Sequence, residues 1–270
     1  MPCINAVSFH EDVSIESICQ RVLTSGFDAL EVSRPPFYEK LTTETTRRRF
    51  SAWAADQGLR LYGFDCWVDV LPYTQLQQTL EDFQAAIQFA KTLDLGMLIT
   101  HDPWAKDNDG RDPDECLEVN LNLFRQVADW CGDAGLKLVF EPHPDTLSMD
   151  NQWCLDFIDG LERPHVGVLY DCCHYGVGQP DSYVESIAEL GDRIKHIHFS
   201  DGDRQTYALH LVLGEGDLDL AKITEAFQSI RYQDSFTCDM YNYPMLDDGA
   251  RRNVGPIRDV EQALQLRVER

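Results

Sequence analysis

Basic residues are scarce in this chain. Lysine and arginine total 23 against 46 aspartates and glutamates, a formal net charge of −23 over 270 residues. Recognition of duplex DNA or of an anionic membrane surface needs concentrated positive charge, so this balance counts against nucleic acid and membrane as partners. No apolar run approaches the ~18 residues of a membrane span. The opening MPCINAVSFHEDVSIE has no basic stretch followed by an apolar one, so no secretory leader is expected. Nine cysteines form no CxxC pair and their number is odd. That argues against a disulfide framework and for a reduced, cytoplasmic setting. A GxGxxG after the first apolar run is also missing, and with it the dinucleotide-binding form of an open α/β sheet.

What the chain does have is alternation. Hydrophobic residues make up 43% of it, enough for a large core. Short apolar runs recur from end to end: INAVSF (4–9), DALEVS (28–33), LRLYGF (59–64), MLITH (97–101), LKLVFE (136–141), VGVLYD (166–171), IKHIHF (194–199) and FTCDMY (236–241). Several are nearly continuous in apolar residues, as parallel strands buried on both faces should be. Between them, Leu76, Leu80, Phe83, Ile87 and Ala90 recur at helical spacing, as do Leu117, Leu121, Phe124, Val127 and Ala128. Gly26, Gly58 and Gly135 stand where helices should stop before the next strand. A last helix is expected around 256–268. Eight strand–helix units over this length predict an α/β fold, a single (β/α)8 TIM barrel forming one domain over 1–270.

In such barrels chemistry sits at the C-terminal ends of the strands. The fifth run ends in Glu141 and the sixth in Asp171. The seventh carries His196 and His198 on one side, and the eighth carries Asp239, with Tyr241 two residues on. A single polar residue at a strand end is ordinarily solvated or caps the next helix. Four consecutive strands delivering Glu, Asp, His and Asp are another matter. An apolar mouth tolerates three carboxylates only with compensating positive charge. One divalent metal ion supplies it, and this donor set suits Mn, Mg or Co and also admits Zn. The stretch VLYDCCHYG (168–176) has no second knuckle to complete a structural zinc site, so Cys172 and Cys173 are expected as small packed residues. His174, three residues after Asp171, is expected in the same mouth.

Four motifs in order, FEPHP, VLYDCCH, IKHIHFSD and LHLVLGEGDLDL, resemble those of the xylose-isomerase-like barrel superfamily. The corresponding family patterns are E-x-H, D-x-x-H, a strand-seven histidine followed by aspartate, and G-x-G-x-hydrophobic-D. The resemblance covers essentially the whole chain and is strongest over 136–220. It implies that Glu141, Asp171 and His198 are metal ligands. It places Asp239 where the family has a fourth ligand, a glutamate, and this is a departure by one methylene. In family isomerases the two strand-end acids double as the acid–base pair, which casts Glu141 and Asp239 as catalytic. His174 matches a substrate-binding histidine; His143 and Glu31 match polar positions. His210 falls where the family's endonucleases hold an extra zinc and its isomerases approach substrate.

The implied activity is isomerisation or epimerisation of a polyhydroxy ketone, by proton transfer through a metal-stabilised enediolate. A dehydratase of the inosose or 3-dehydroshikimate type is the alternative, with His143 or His101 near the leaving oxygen. An apurinic-type phosphodiesterase and a non-catalytic barrel are the remaining readings. The expected partner is a small-molecule sugar or polyol-derived ketone. Arg204, Arg251 and Arg252 are the cations near the last loops, and this scarcity leans toward an unphosphorylated substrate. Tyr62, Trp67 and Trp104 are candidates for an apolar wall against sugar C–H faces. Homo-oligomers are common in the family, so one is expected here from the resemblance alone.

Overall fold

In the computed structural model, which describes residues 2–9, 14–108 and 110–265, each predicted apolar run overlaps a strand. These are β1 (Cys3–Asn5), β2 (Ala29–Ser33), β3 (Arg60–Asp65), β4 (Met97–Thr100), β5 (Lys137–Phe140), β6 (Val166–Asp171), β7 (Ile194–Phe199) and β8 (Ser235–Cys238). All neighbours are parallel, and β8 returns to pair with β1, so the sheet closes into an eight-stranded barrel. The helices that wrap it are α1 (Ile15–Ser25), α2 (Phe37–Lys40), α3 (Glu44–Asp56), α4 (Leu76–Thr92), α5 (Pro113–Ala134), α6 (Asn151–Leu161), α7 (Cys172–Gly178), α8 (Tyr183–Leu190), α9 (Leu220–Ser229) and α10 (Leu246–Ala263). Helices α1 and α5 end on Gly26 and Gly135, both left-handed at φ 95° and 74°, which a side chain would resist.

The strand alternation divides the interior. Outward-facing residues such as Phe64, Phe140 and Tyr170 join the helices in one large buried cluster. Inward-facing Met97, Ile99, Val139 and Leu169 form a separate apolar plug inside the barrel, with Tyr62 against it. Above the plug the inward positions turn polar. Because side chains alternate every second residue, Val139 below and Glu141 above occupy the same face.

Element ends differ from expectation in three places. β1 stops at Asn5, whose side-chain oxygen accepts the Val7 N–H at 2.8 Å and turns the chain into a 3₁₀ turn, Ala6–Ser8. β8 stops at Cys238, so Asp239 and Tyr241 lie in the loop just beyond it. The last helix starts at Leu246, not near 256; residues 266–268 of the expected span lie outside the described residues. Gly249, Gly255 and Pro256 disguise this helix, yet Leu246, Ala250, Asn253 and Ile257 are its buried stripe. Gly249 is required by packing, since a Cβ there would stand 2.4 Å from Met240 Cε. No described helix is long and apolar enough to cross a membrane.

Candidate metal centre

The mouth of the barrel is built from strand ends. Glu141 follows β5 directly, its N–H bonded to the Thr100 carbonyl at 2.7 Å. Asp171 closes β6 and has two duties. Its Oδ1 accepts the His174 N–H at 2.7 Å and caps α7. Its Oδ2 is buried without any hydrogen-bond partner among the described residues. On β7, His198 Nδ1 lies 2.9 Å from Glu141 Oε1, 3.8 Å from Asp171 Oδ2 and 3.5 Å from Asp239 Oδ2. Glu141, Asp171 and His198 each offer a ligand atom, all within 4.8 Å of one another. Asp239 meets this trio through His198. Its Oδ1 is held by the Tyr241 N–H at 3.0 Å and the Ser8 hydroxyl at 3.4 Å, which leaves Oδ2 facing inward.

Beneath the trio lies Glu31, fully buried on β2. Its Oε1 accepts from His198 Nε2 and its Oε2 from His196 Nε2, both at 2.8 Å, with Thr237 Oγ1 adding a bond at 3.1 Å. An imidazole that gives its Nε2–H to a carboxylate is fixed in orientation and offers Nδ1 as a ligand lone pair. The electrostatics agree. Burial opposes a charge on His198, but Glu31 and Glu141 overcome it and raise its pKa well above the usual value. Burial would raise Glu31; the two imidazoles hold it below the usual carboxylate range instead. Burial, reinforced by Asp171 and Asp239, pushes Glu141 up to about 7 against the pull of His198. A proton on His198 thus supplies in the metal-free protein the positive charge that the carboxylates demand. An orphaned buried carboxylate oxygen, two further carboxylates and an oriented imidazole fit a divalent ion of the Mn, Mg, Co or Zn kind.

The cavity above is about 270 Å³, small against the ~300–1,000 Å³ of ordinary ligand pockets. Histidines form one wall. The rings of His174 and His143 pack at a tilt of 41°, their centres 4.2 Å apart. Each gives Nδ1–H to a backbone carbonyl, of Pro142 at 3.1 Å and of Glu141 at 2.9 Å respectively. Burial and the neighbouring imidazoles lower both pKa values well below the usual one, so both rings are neutral. His210 is buried with neither ring nitrogen hydrogen-bonded among the described residues, its Nδ1 3.5 Å from Asp239 Oδ2. Two further groups with ligand spacing overlap here, Glu141–His143–His174 and Asp171–His174–His210. Trp67, Trp104, Tyr207 and Tyr241 complete the walls.

With this geometry the comparison with known proteins is decisive for family. The sequence profile described as xylose isomerase-like TIM barrel matches residues 19–265. The chain belongs to the xylose isomerase-like TIM barrel family. Among curated proteins it is 24% identical over 158 residues to an uncharacterised protein of Methanocaldococcus jannaschii, covering 57% of this chain and 54% of that one. The chain thus spans about half the length of that relative. Solved structures with the same fold include a D-psicose 3-epimerase from Clostridium cellulolyticum H10 with D-tagatose (TM-score 0.76, 17% identity, 97% of this chain and 96% of that one). Another is an IOLI protein with a bound zinc atom (0.80, 14%, 97% and 97%). A third is a probable 3-DHS dehydratase, AsbF, from Bacillus anthracis (0.76, 18%, 95% and 98%).

Within this xylose isomerase-like barrel, Glu141, Asp171, His198, Asp239, His174, His143, His210 and Trp67 all meet at one mouth. Two expectations need correction. His101 does not line the cavity; its ring stands behind Trp104 at 4.6 Å and its Nδ1 is tied to the Asp102 carbonyl at 2.7 Å. Tyr62 is not in the mouth either; it stacks under His196 at 5.9 Å, inside the lower barrel. All nine cysteines are free and buried, and Cys172 and Cys173 pack as small residues. Sequence reading passed over Asp65, the last residue of β3, because the apolar run was closed one residue early at Phe64. Asp201, the aspartate that closes the IKHIHFSD motif, gathers with its carboxylate the N–H groups of Gly202, Gly214, Gly216 and Leu218. Tyr207 carried no signal; it enters through the loop after β7 and donates to Asp145 Oδ2 at 2.8 Å.

Proposed function

We propose that this chain is a metal-dependent isomerase or epimerase of small sugars or polyol-derived ketones. The observation that carries this reading is the unpartnered Asp171 Oδ2, buried against Glu141 and the oriented His198 Nδ1 at the mouth of the barrel. Glu141, Asp171 and His198 would hold the ion, with Asp239 as the fourth ligand. When bound, a divalent ion acts as a Lewis acid on a substrate carbonyl and its neighbouring hydroxyl. Glu141, buried at the mouth beside the ion it would hold, is the base for the proton α to the carbonyl. Asp239, raised by burial against the pull of His210 and His198, is the acid that returns it. Return to the same carbon from the other face gives epimerisation; return to the neighbouring carbon, with a proton moved from one oxygen to the other, gives isomerisation. His174 and His143, having committed Nδ1–H to carbonyls, present Nε2 as acceptors for substrate hydroxyls. Trp67 and Trp104 offer ring faces to the sugar C–H groups.

Dehydration is the second reading. The tilted His143–His174 pair beside Glu141 bears on it, because an acceptor Nε2 there would hold a β-hydroxyl, while the proton that leaves with it would come from Glu141. The phosphodiesterase reading lacks support from the cavity, whose lining includes no lysine or arginine.

The test starts with metal content per chain after re-equilibration with Mn, Co, Mg and Zn. About one ion per chain is expected. The loaded protein is then incubated with free ketoses in deuterated water, and C–H exchange is followed. Glu141→Gln should weaken metal retention and reduce exchange by about 10²–10⁴-fold. A protein that binds none of the four metals would refute the reading, and loss of water from substrate in place of exchange would decide for the dehydratase.

A further inference from the structure

One carboxylate in the mouth belongs to neither the candidate ligand set nor the proposed acid–base pair. Asp65 ends β3, lines the cavity and is 5% exposed. Its Oδ2 accepts the Trp67 indole N–H at 2.9 Å and the Asn5 amide at 3.5 Å. Its Oδ1 has no hydrogen-bond partner among the described residues. The arrangement is held at a cost, since Trp67 adopts φ 42°, a left-handed backbone that a bulky residue resists. That conformation brings the indole back onto Asp65 only two residues away.

The charge around this group is one-sided. Glu31, Asp65, Glu141, Asp171 and Asp239 face the mouth or lie directly under it. The arginines of the loops after β7 and β8 are committed elsewhere. Arg252 pairs with Glu215, Arg251 lies 3.8 Å from Asp248, and Arg204 donates to the Pro180 carbonyl. None of the three lines the cavity. A divalent ion and the cationic His210, 3.5 Å from Asp239, together offset three of the five negative charges and leave the mouth net negative. A phosphate or carboxylate on the substrate would therefore meet uncompensated like charge in a buried site.

We propose that Asp65 is a specificity-determining residue, whose Oδ1 accepts a hydrogen bond from the substrate, and that the site takes small polyols that are uncharged or amino-bearing. This rests on the metal-dependent ketone reading above and narrows its substrate class. The donor is a hydroxyl or an ammonium; phosphate esters and carboxylates are excluded. Trp67 and Asn5 are positioning residues that aim Oδ1 at the cavity.

Asp65→Asn provides an isosteric test. Because the Trp67 N–H requires an oxygen, the new amide oxygen stays on Trp67 and an NH₂ group faces the cavity. An acceptor becomes a donor while the support is retained. Mn-loaded wild-type and variant proteins are titrated calorimetrically with the free 2-ketohexoses, fructose 6-phosphate, 1-amino-1-deoxyfructose and shikimate. Metal content and deuterium exchange are measured in parallel. Wild type should bind at least one free or amino ketose at least tenfold more tightly than the phosphate and the carboxylate. The variant should keep its metal, weaken that binding at least tenfold and raise KM more than it lowers kcat. A loss near 100-fold for the amino sugar, against about tenfold for the free sugar, identifies ammonium as the donor; equal losses identify hydroxyl.

Three results would overturn the inference: an anionic member binding as well as its neutral counterpart, unchanged ketose affinity in Asp65→Asn, or no binding of any neutral or amino member. Binding without deuterium exchange, still sensitive to Asp65→Asn, would uphold the substrate class while refuting the isomerase reading.

Discussion

Glu31 touches no substrate, yet it sets the direction of the ligand histidine. It grips Nε2 of both His196 and His198 from the layer beneath the mouth. An amide in its place has one acceptor oxygen for two imidazoles and no charge to balance them. Outer partners of metal-bound histidines typically contribute 10–100-fold in affinity. Glu31→Gln should accordingly weaken Mn binding by about that factor, as read by competition with a chromogenic chelator. Affinity within threefold of wild type would show that His198 is oriented by packing alone. At this scale the sequence was half legible. Glu31 stands out as a charged residue inside DALEVS, and resemblance marks it as a polar position. Its partners come from β7, more than 160 residues away, and only barrel closure brings them together.

At the scale of elements, the loop after β7 is tied into a knot by one side chain. Asp201 accepts four backbone N–H groups, and its own backbone pairs with Leu211 at 2.8 and 3.1 Å. The His210 N–H reaches the Tyr241 carbonyl at 3.0 Å, so the knot also places His210 over Asp171 and Asp239. Gly216 passes so close that a Cβ would lie 2.3 Å from Asp201 Oδ1 and 2.4 Å from the Gly202 carbonyl oxygen. Gly216→Ala must therefore displace the loop, at a cost on the order of 1–3 kcal/mol for an overpacked site. Turnover should fall more than tenfold while metal stays near one per chain, because none of Glu141, Asp171, His198 and Asp239 belongs to the knot. Melting temperature, metal analysis and exchange rate together check this; full activity would show that the loop absorbs the methyl group.

The same loop shows what periodicity can and cannot reveal. HFSD and GEGDLD stand apart as two motifs in the sequence; in the fold the aspartate of the first binds the amides of the second. Strand existence was legible because buried parallel strands leave continuous apolar runs. Strand ends were not, because single polar contacts such as Asn5 to Val7 decide them. That is why Asp65 fell outside its run while Glu141 and Asp171 fell inside theirs.

For the whole molecule, the concentration of buried acid makes stability depend on metal and pH together. In the metal-free protein, burial raises Glu141 to about 7 and also raises Asp65 and Asp239. A carboxyl raised on folding lends stability that is complete below its unfolded pKa and is lost as pH climbs through its folded one. His198 and His210 are raised by their carboxylate neighbours and act in the same direction, their contribution disappearing above their ordinary range. His143, His174, His101 and His196 are lowered by burial and act oppositely, but their effect is confined below the ordinary histidine pKa. Above about pH 7 they are neutral in both states. The share from Glu141 is lost by about pH 7, while that from His198 and His210 goes on being lost above it, so the metal-free protein should lose stability as pH rises above about 7. An ion at Glu141, Asp171 and His198 displaces the proton on His198, and each proton displaced strengthens binding by about 1.4 kcal/mol per pH unit. The melting-temperature gap between Mn-loaded and chelator-treated protein should widen steadily across that range. Glu141→Gln should shrink the gap at every pH. A gap that stays constant with pH would mean that no proton leaves the cluster when metal enters, and that the orphaned oxygen of Asp171 is satisfied in some other way.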